Sequence, residues 1–334
     1  MKINLKHVAE RSGYSIATVS RVLSGKAKGR SQSVEDILFA ARDLGYTSKI
    51  SHYSNANIPL NVALVTMHEP GEFYSYLYES FDKISSHKRI QLSIHSIKYN
   101  NSFLDKLRFL SHSNNGIILM LPNFTNDKYL SIKKKINPFP IVSISPSSQP
   151  TFHTVTFDSY DGGKLAAQNL IKSGYTVFGH IAGPISKPEA NLRRAGFIDE
   201  IQKSNFNIEF EYKGEHTFES GRLAFESIDL NRYNNLGIFS SNDEMAMGFL
   251  SSAIEKDKFL LKTWGIIGYD NMPSSKIFHP KLSSIGIDLD KLAALSLDKL
   301  TSLIKDPTLN LAITTTLIPV NAIMRETHRQ KQYG

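Results

Sequence analysis

Three groups of polar side chains stand directly after short apolar runs in the second half of the chain, where a binding loop would carry them. Asn242-Asp243 follows Phe239-Ser240-Ser241, Asp270 follows Ile266-Ile267-Gly268-Tyr269, and Arg193-Arg194 lies beyond Ile181-Ala182-Gly183-Pro184. Carboxylates and amides accept from or donate to neighbouring hydroxyls, and an arginine fork can span two of them, so the combination suits a small polyol. A structural reading is equally simple: Asp243 caps the helix it precedes and Asp270 caps a turn. Enzyme chemistry has less support. The chain contains no G-x-G-x-x-G, no phosphate loop ending in Gly-Lys-Ser/Thr, no His-Glu-x-x-His and no Gly-x-Ser-x-Gly. With no cysteine, it also has no disulfide, thiolate metal site or cysteine nucleophile. The expectation is a protein that binds rather than turns over, with no cofactor and no metal.

A second set of residues lies near the amino terminus. Of the formal net charge of +8, residues 1–60 hold nine Lys or Arg against four Asp or Glu, so a small part of the 334 residues carries more than half of the excess. A basic excess confined to one segment points to a polyanion. Within it, Leu5, Val8 and Ala9 repeat at helical spacing and stop at Gly13, and Ser15 is placed to cap a second helix, Ile16 to Leu23. In that helix Val19, Val22 and Leu23 turn inward, leaving Ile16, Ala17, Ser20 and Arg21 on or near the other side. A third amphipathic helix, about Ser33 to Leu44, would close a three-helix core. Two helices joined by a tight glycine turn make a helix-turn-helix whose second member can enter the DNA major groove, although the same pattern also fits a plain helical cap. Arg21 can reach a guanine or a phosphate, and Ile16-Ala17 can press on thymine methyls.

The run Leu5-Lys6-His7-Val8-Ala9-Glu10-Arg11-Ser12-Gly13-Tyr14-Ser15-Ile16-Ala17-Thr18-Val19-Ser20-Arg21-Val22-Leu23 resembles the headpiece of the lactose/galactose-repressor (LacI/GalR) family of bacterial transcription regulators. The resemblance implies Ile16 and Ala17 as specificity positions, Arg21 as a base contact, and Ser15, Thr18 and Ser20 as mostly backbone contacts. Leu5 and Ser24 join the implied DNA-binding set, and Lys28 and Arg30 would add phosphate contacts. Two departures stand out. Tyr14 occupies a position where the family usually has a small valine. After Tyr46, where the family continues with a hinge helix that wedges a leucine into the minor groove, this chain has Thr47 to Asn55, with His52 and Asn55 at the key places. Serine, asparagine and histidine disfavour a short helix, so a weak, displaced or absent hinge helix is expected, with Ile50 or Tyr53 as substitute wedges.

From Pro59 onward short β-rich runs alternate with amphipathic stretches: Val62 to Thr66, Gln91 to Ile94, Gly116 to Leu121, Ile141 to Ile144, Val177 to Ala182, Leu236 to Ser240 and Trp264 to Gly268. Such alternation predicts a parallel-sheet α/β architecture in two lobes. Ser241 to Gly248, Ile267 to Asn271, Leu192 to Phe197 and His279 to Ile285 look like effector-domain motifs of the same regulators. The resemblance therefore implies a helix-turn-helix headpiece plus a two-lobed periplasmic-binding-protein-like domain built on two parallel α/β sheets. It implies Arg193, Asn242 and Asp270 as a polar clamp on the effector, with Phe73, Tyr74, His216 and Phe218 as candidate aromatic contacts. The implied layout is a headpiece over 1–46 and a linker over 47–60, with a first lobe from 61–173 and 287–314. The second lobe takes 174–286 and 315–328, and 329–334 form a tail.

These readings converge on a homodimeric regulator, most simply a repressor of sugar-utilisation genes that grips double-stranded operator DNA and is released by a small sugar effector. A sugar-binding protein or a two-lobed enzyme without a DNA role are the alternatives. The amino terminus carries a basic helix rather than an apolar secretory signal, and the longest aliphatic stretch, Ile117 to Leu121, is far short of a membrane span, so a cytoplasmic protein with no membrane partner is expected. The tail has no leucine heptads, so a tetramer through a terminal coiled coil is not expected.

Overall fold

The computed structural model describes residues 3–24, 32–44, 46, 59–67, 69, 71–136, 138–147, 149–229, 232–257 and 260–328. Helices and strands are numbered α1–α13 and β1–β12 in chain order. The three helices of the headpiece form where local chemistry demands. Asn4 accepts from the amides of Lys6 and His7 while His7 Nδ1 accepts from Asn4 N–H, a reciprocal cap that starts α1, Leu5–Ser12. Gly13, at φ +75°, takes the left-handed conformation that ends it. Ser15 Oγ accepts from Thr18 N–H at 3.1 Å and starts α2, Ile16–Leu23. Together with α3, Gln32–Asp43, they bury a small core of Val8, Val19, Val22, Leu23, Ile37 and Ala41. Each such side chain contributes roughly 1.5–3 kcal/mol, so in a core this small the caps matter to the total. The predicted third helix begins one residue earlier and ends one residue sooner than Ser33 to Leu44.

The chain divides into two compact units, one of residues 1–70, 77–155 and 290–316, the headpiece included, and the other of 71–76, 156–289 and 317–334. The first contains a six-stranded sheet in the order β11-β5-β4-β3-β1-β2. Its strands are β1 Leu60–Met67, β2 Ile90–Ile97, β3 Gly116–Met120, β4 Ile141–Ser143, β5 His153–Phe157 and β11 Thr315–Ile318. The second has the order β12-β10-β9-β8-β6-β7, built from β6 Val177–Ala182, β7 Ile208–Lys213, β8 Leu236–Ser240, β9 Gly265–Asp270, β10 Ser283–Gly286 and β12 Asn321–Ile323. β12 pairs antiparallel with β10, whereas β6 to β9 pair in parallel. Central strands such as β3 and β8 are buried along their whole length, which is why they read as unbroken apolar runs.

Apart from residues 71–76, which belong to the second unit, the chain passes from the first unit to the second at 155/156, earlier than the position near 173 implied by the resemblance. The reason is α7, Ser159–Lys172, which packs on α8, Pro188–Lys203, within the second unit. Gly163 of α7 lies against the Arg193 carbonyl and Gly196 of α8 against the Tyr160 carbonyl, and a Cβ at either would overlap that backbone. Only glycine lets the two helices approach so closely. The chain passes back at 289/290 and forward again at 316/317.

Candidate functional site

The headpiece turns one side of α2 outward. Ser15, Ile16, Ala17, Ser20 and Arg21 are exposed, Ile16 to 48%, while Val19, Val22 and Leu23 are buried. Ile16 stands at the start of the helix and Arg21 in its last turn, and an exposed apolar group, a hydroxyl and a guanidinium on one helix suit base edges and phosphates. Thr18 is half-buried with its hydroxyl 2.9 Å from that of Ser15, Leu5 packs partly on the core, and Ser24 Oγ donates to the Arg21 carbonyl at 3.2 Å. Lys28, Arg30 and the whole hinge segment, His52 and Asn55 included, lie outside the described residues. Tyr14, the departure in the turn, is accommodated. Its ring packs against the core and its hydroxyl donates to Asp36 Oδ2 of α3 at 2.9 Å, while Gln32 Nε2 donates to Asp36 Oδ1 at 2.8 Å.

All seven candidate effector residues fall within the second unit. Arg193 of α8 is buried, its Nη1 donating to the Ser241 carbonyl at 2.5 Å and its guanidinium lying 3.6 Å from the Tyr269 ring centroid. Its Nη2 stands 3.6 Å from Asp270 Oδ1, an ion pair beyond hydrogen-bond length, and its buried Nε has no hydrogen-bond partner. Asp270 ends β9 with φ +107°, and burial pushes its carboxyl up to about 7. The attraction of Arg193 opposes this and is outweighed; Glu189 and Glu244 push the same way as burial, and Lys187 against it.

Asn242, not Asp243, caps α10, Asp243–Asp257, contrary to the simple sequence reading: Asn242 Oδ1 accepts from Met245 N–H at 3.0 Å. Its Nδ2 donates to the His216 carbonyl at 3.1 Å, which leaves the amide one N–H and one lone pair for a ligand. His216, with φ +63°, sets its Nε2 3.3 Å from Ser241 Oγ, and burial, with Arg193 and Lys187 nearby, holds its imidazole well below the ordinary value. It is a neutral ring.

The structure thus brings Arg193, Asn242, His216 and Asp270 together through Ser241 and Tyr269. The remaining aromatics stand differently. Phe73 and Tyr74 contact each other edge to face at 5.4 Å, Tyr74 being buried. Phe218 opens α9, Phe218–Glu226, where it is 36% exposed and its N–H donates to Glu244 Oε1. Arg194, paired with Arg193 in the sequence, points elsewhere: it grips Glu211 of β7 through Nε and Nη2, and that pairing holds the Glu211 carboxyl at about 2. Successive helical residues lie about 100° apart, so only one of two adjacent arginines can turn inward. Sequence reasoning missed Tyr269 as the platform under Arg193; its place just before Asp270 at the end of an apolar run was the available signal. Among the described residues no group of His, Asp and Glu side chains could hold a metal ion, and no helix is long and apolar enough to cross a membrane.

Fold and site define a class, a two-unit α/β binding protein that carries a helix-turn-helix. Residues 4–49 match the family model of the bacterial regulatory proteins of the lacI family, and residues 167–328 match a model of the periplasmic binding protein-like domain. It is similar to the HTH-type transcriptional repressor PurR of Mannheimia succiniciproducens, with 24% identity over 287 residues covering 84% of this chain and 86% of the relative. Its fold resembles that of the lac repressor dimer bound to operator and the anti-inducer ONPF, with a TM-score of 0.74 at 21% identity, over 99% of this chain and 100% of that one. It also resembles a LacI family transcriptional regulator from Enterococcus faecium with bound ribose, with a TM-score of 0.70 at 20% identity, over 80% and 98% of the two chains. Each of these proteins is named as a repressor or regulator rather than an enzyme.

Proposed function

We propose that the protein is a homodimeric transcriptional repressor whose hold on operator DNA is changed by a small polyhydroxylated effector, a sugar, bound by Arg193, Asn242 and Asp270. One observation carries the reading. A single chain joins a helix that presents Ile16, Ala17, Ser20 and Arg21 to water with a buried set of polar groups whose bonding is incomplete, Arg193 Nε above all. Packing explains neither the exposed side of α2 nor the unmet Arg193 Nε. An arginine fork beside a carboxylate and an amide offers both donors and acceptors, as adjacent hydroxyls require. Two headpieces on half-sites supply the DNA contact, and Leu5, Ser15, Thr18 and Ser24 orient α2 more than they read bases. The likeness to PurR favours a second reading, in which the effector is a purine.

Fluorescence anisotropy of the full-length protein with its own promoter region and with random duplex of equal length tests the DNA half. Preference for the promoter that disappears in Arg21→Ala is expected, and equal affinity for both duplexes would overturn it. Adding D-ribose, other monosaccharides and disaccharides, and purine bases to the complex tests the effector half. Release by a neutral sugar supports the first reading, release by purines alone the second. Sugar binding that left operator affinity unchanged would remove the coupling.

A further inference from the structure

The loop after β9 contains two successive residues with left-handed backbone, Asp270 at φ +107° and Asn271 at φ +56°. Neither is glycine, and backbone of this kind persists only where its surroundings over-determine it. Arg325 Nη2 donates to the Asn271 side chain, and the backbone amides on either side of the turn converge on one other side chain, Asp243. Met272 N–H donates to Asp243 Oδ2 at 2.9 Å, and Asn271 N–H donates to Ser284 Oγ at 2.9 Å, whose hydroxyl lies 2.6 Å from Asp243 Oδ1. The two amides that follow Asp270 are therefore held by the two oxygens of a single carboxyl, one directly and one through a serine. Asp243 and Ser284 are both buried.

The obvious task for an acid at the start of a helix does not account for this. The cap of α10 belongs to Asn242, and Asp243 sends its carboxyl away to strands β9 and β10 instead. Placing a carboxyl out of water is unfavourable unless its bonds are met, so its presence calls for a task that its neighbours cannot perform. Asn242 and Asp243 are consecutive. The same dipeptide thus supplies one group of the effector clamp and anchors the loop that carries another.

We propose that Asp243 is a positioning residue that sets the Asp270 carboxyl relative to Asn242 by anchoring the left-handed backbone at residues 270 and 271. The proposal rests on the reading of Asp270 as an effector ligand, but its test needs no ligand. Burial first, and then Asp270, pushes the Asp243 carboxyl well above the usual range, against Ser284, the Met272 N–H and Arg325; asparagine keeps its size and one oxygen acceptor. In Asp243→Asn the amide oxygen accepts from Met272 N–H, and the link to Ser284, in which the hydroxyl donates to Asp243 Oδ1, reverses so that the amide nitrogen donates to Ser284 Oγ. In Asp243→Ala both links are lost.

Residue-resolved amide hydrogen exchange on the full-length protein compares these variants with Ser284→Ala. Asp243→Ala is expected to accelerate exchange at Asn271 and Met272 at least 10-fold, while interior amides of β8 and β9 such as Ile238 and Ile266 keep their rates. Asp243→Asn should stay within threefold of the parent at all four. Ser284→Ala should free Asn271 alone, a result that decides the matter even if Asp243→Ala does not fold. Carbon-13 NMR of Asp270, whose surrounding charges are Arg193, Lys187, Glu189 and Glu244, should show its midpoint unchanged in Asp243→Asn and lowered in Asp243→Ala. Unaltered exchange at Asn271 in Ser284→Ala, an asparagine variant as damaged as the alanine one, or acceleration spread evenly over the unit would each overturn the proposal. Failure of every sugar and purine to bind would sink the effector reading and leave these exchange rates as they are.

Discussion

Asp270→Asn tests directly how burial and charge compete at the proposed effector clamp. The Asp270 carboxyl is raised from 3.8 to about 7, with burial as the largest cause and Arg193 opposing it. A carboxyl raised in this way holds its proton more tightly in the folded chain than in the unfolded one. Stability is therefore greatest below the unfolded value and is lost as the pH climbs from about 4 to about 7. The gap between the two values corresponds to an upper bound of roughly 4 kcal/mol at pH 8 and about 2 kcal/mol at pH 5, where the folded carboxyl is still protonated. Asparagine matches the neutral acid in size and polarity and is among the residues that tolerate left-handed backbone. Asp270→Asn should accordingly stabilise the second unit by approximately those amounts while abolishing the effector response. Urea unfolding followed by fluorescence suits the measurement, because Trp264 is the single tryptophan and is buried in the core of that unit. An equal gain at pH 5 and pH 8 would refute the reasoning. A loss at pH 8 would do so too, by showing that the attraction of Arg193 exceeds the penalty of burial.

Ser15→Ala removes the cap on Thr18 N–H and should destabilise the headpiece by about 1 kcal/mol, seen as faster amide exchange in α2 and weaker operator binding. Gly163→Val drives a side chain into the Arg193 carbonyl, so α7 and α8 must part at a cost of about 1–3 kcal/mol or more; a lowered urea midpoint by Trp264 fluorescence would report it. Glu211, held at about 2 first by Arg194 and then by His180, is a depressed carboxyl whose contribution is present above its ordinary value and is lost as the pH falls through that interval towards 2. Glu211→Gln should therefore lower stability at pH 7 and make little difference near pH 2, a small effect because the pair is partly exposed.

The sequence by itself determined the headpiece almost to the residue and the central strands of both sheets. Capping by Asn4 and Ser15, the stop at Gly13 and the apolar stripe of α2 act over three or four residues, and strands buried on both faces must be apolar throughout. Strands at and next to the sheet edges were harder to read. β7 alternates Ile208, Phe210 and Tyr212 with charged residues, β10 and β12 are only four and three residues long, and β5 and β11 have no long apolar run. The chemistry of the clamp was legible as residue types, not as roles. That Arg193 turns inward while Arg194 meets Glu211, that Asn242 caps α10 while Asp243 reaches Ser284, and that Asp270 carries a proton near neutral pH depend on partners brought from strands and helices 17 to 77 residues away. Hydrogen bonds along a helix are written in its own neighbours, whereas burial and the field at a carboxyl exist only once distant segments have closed around it.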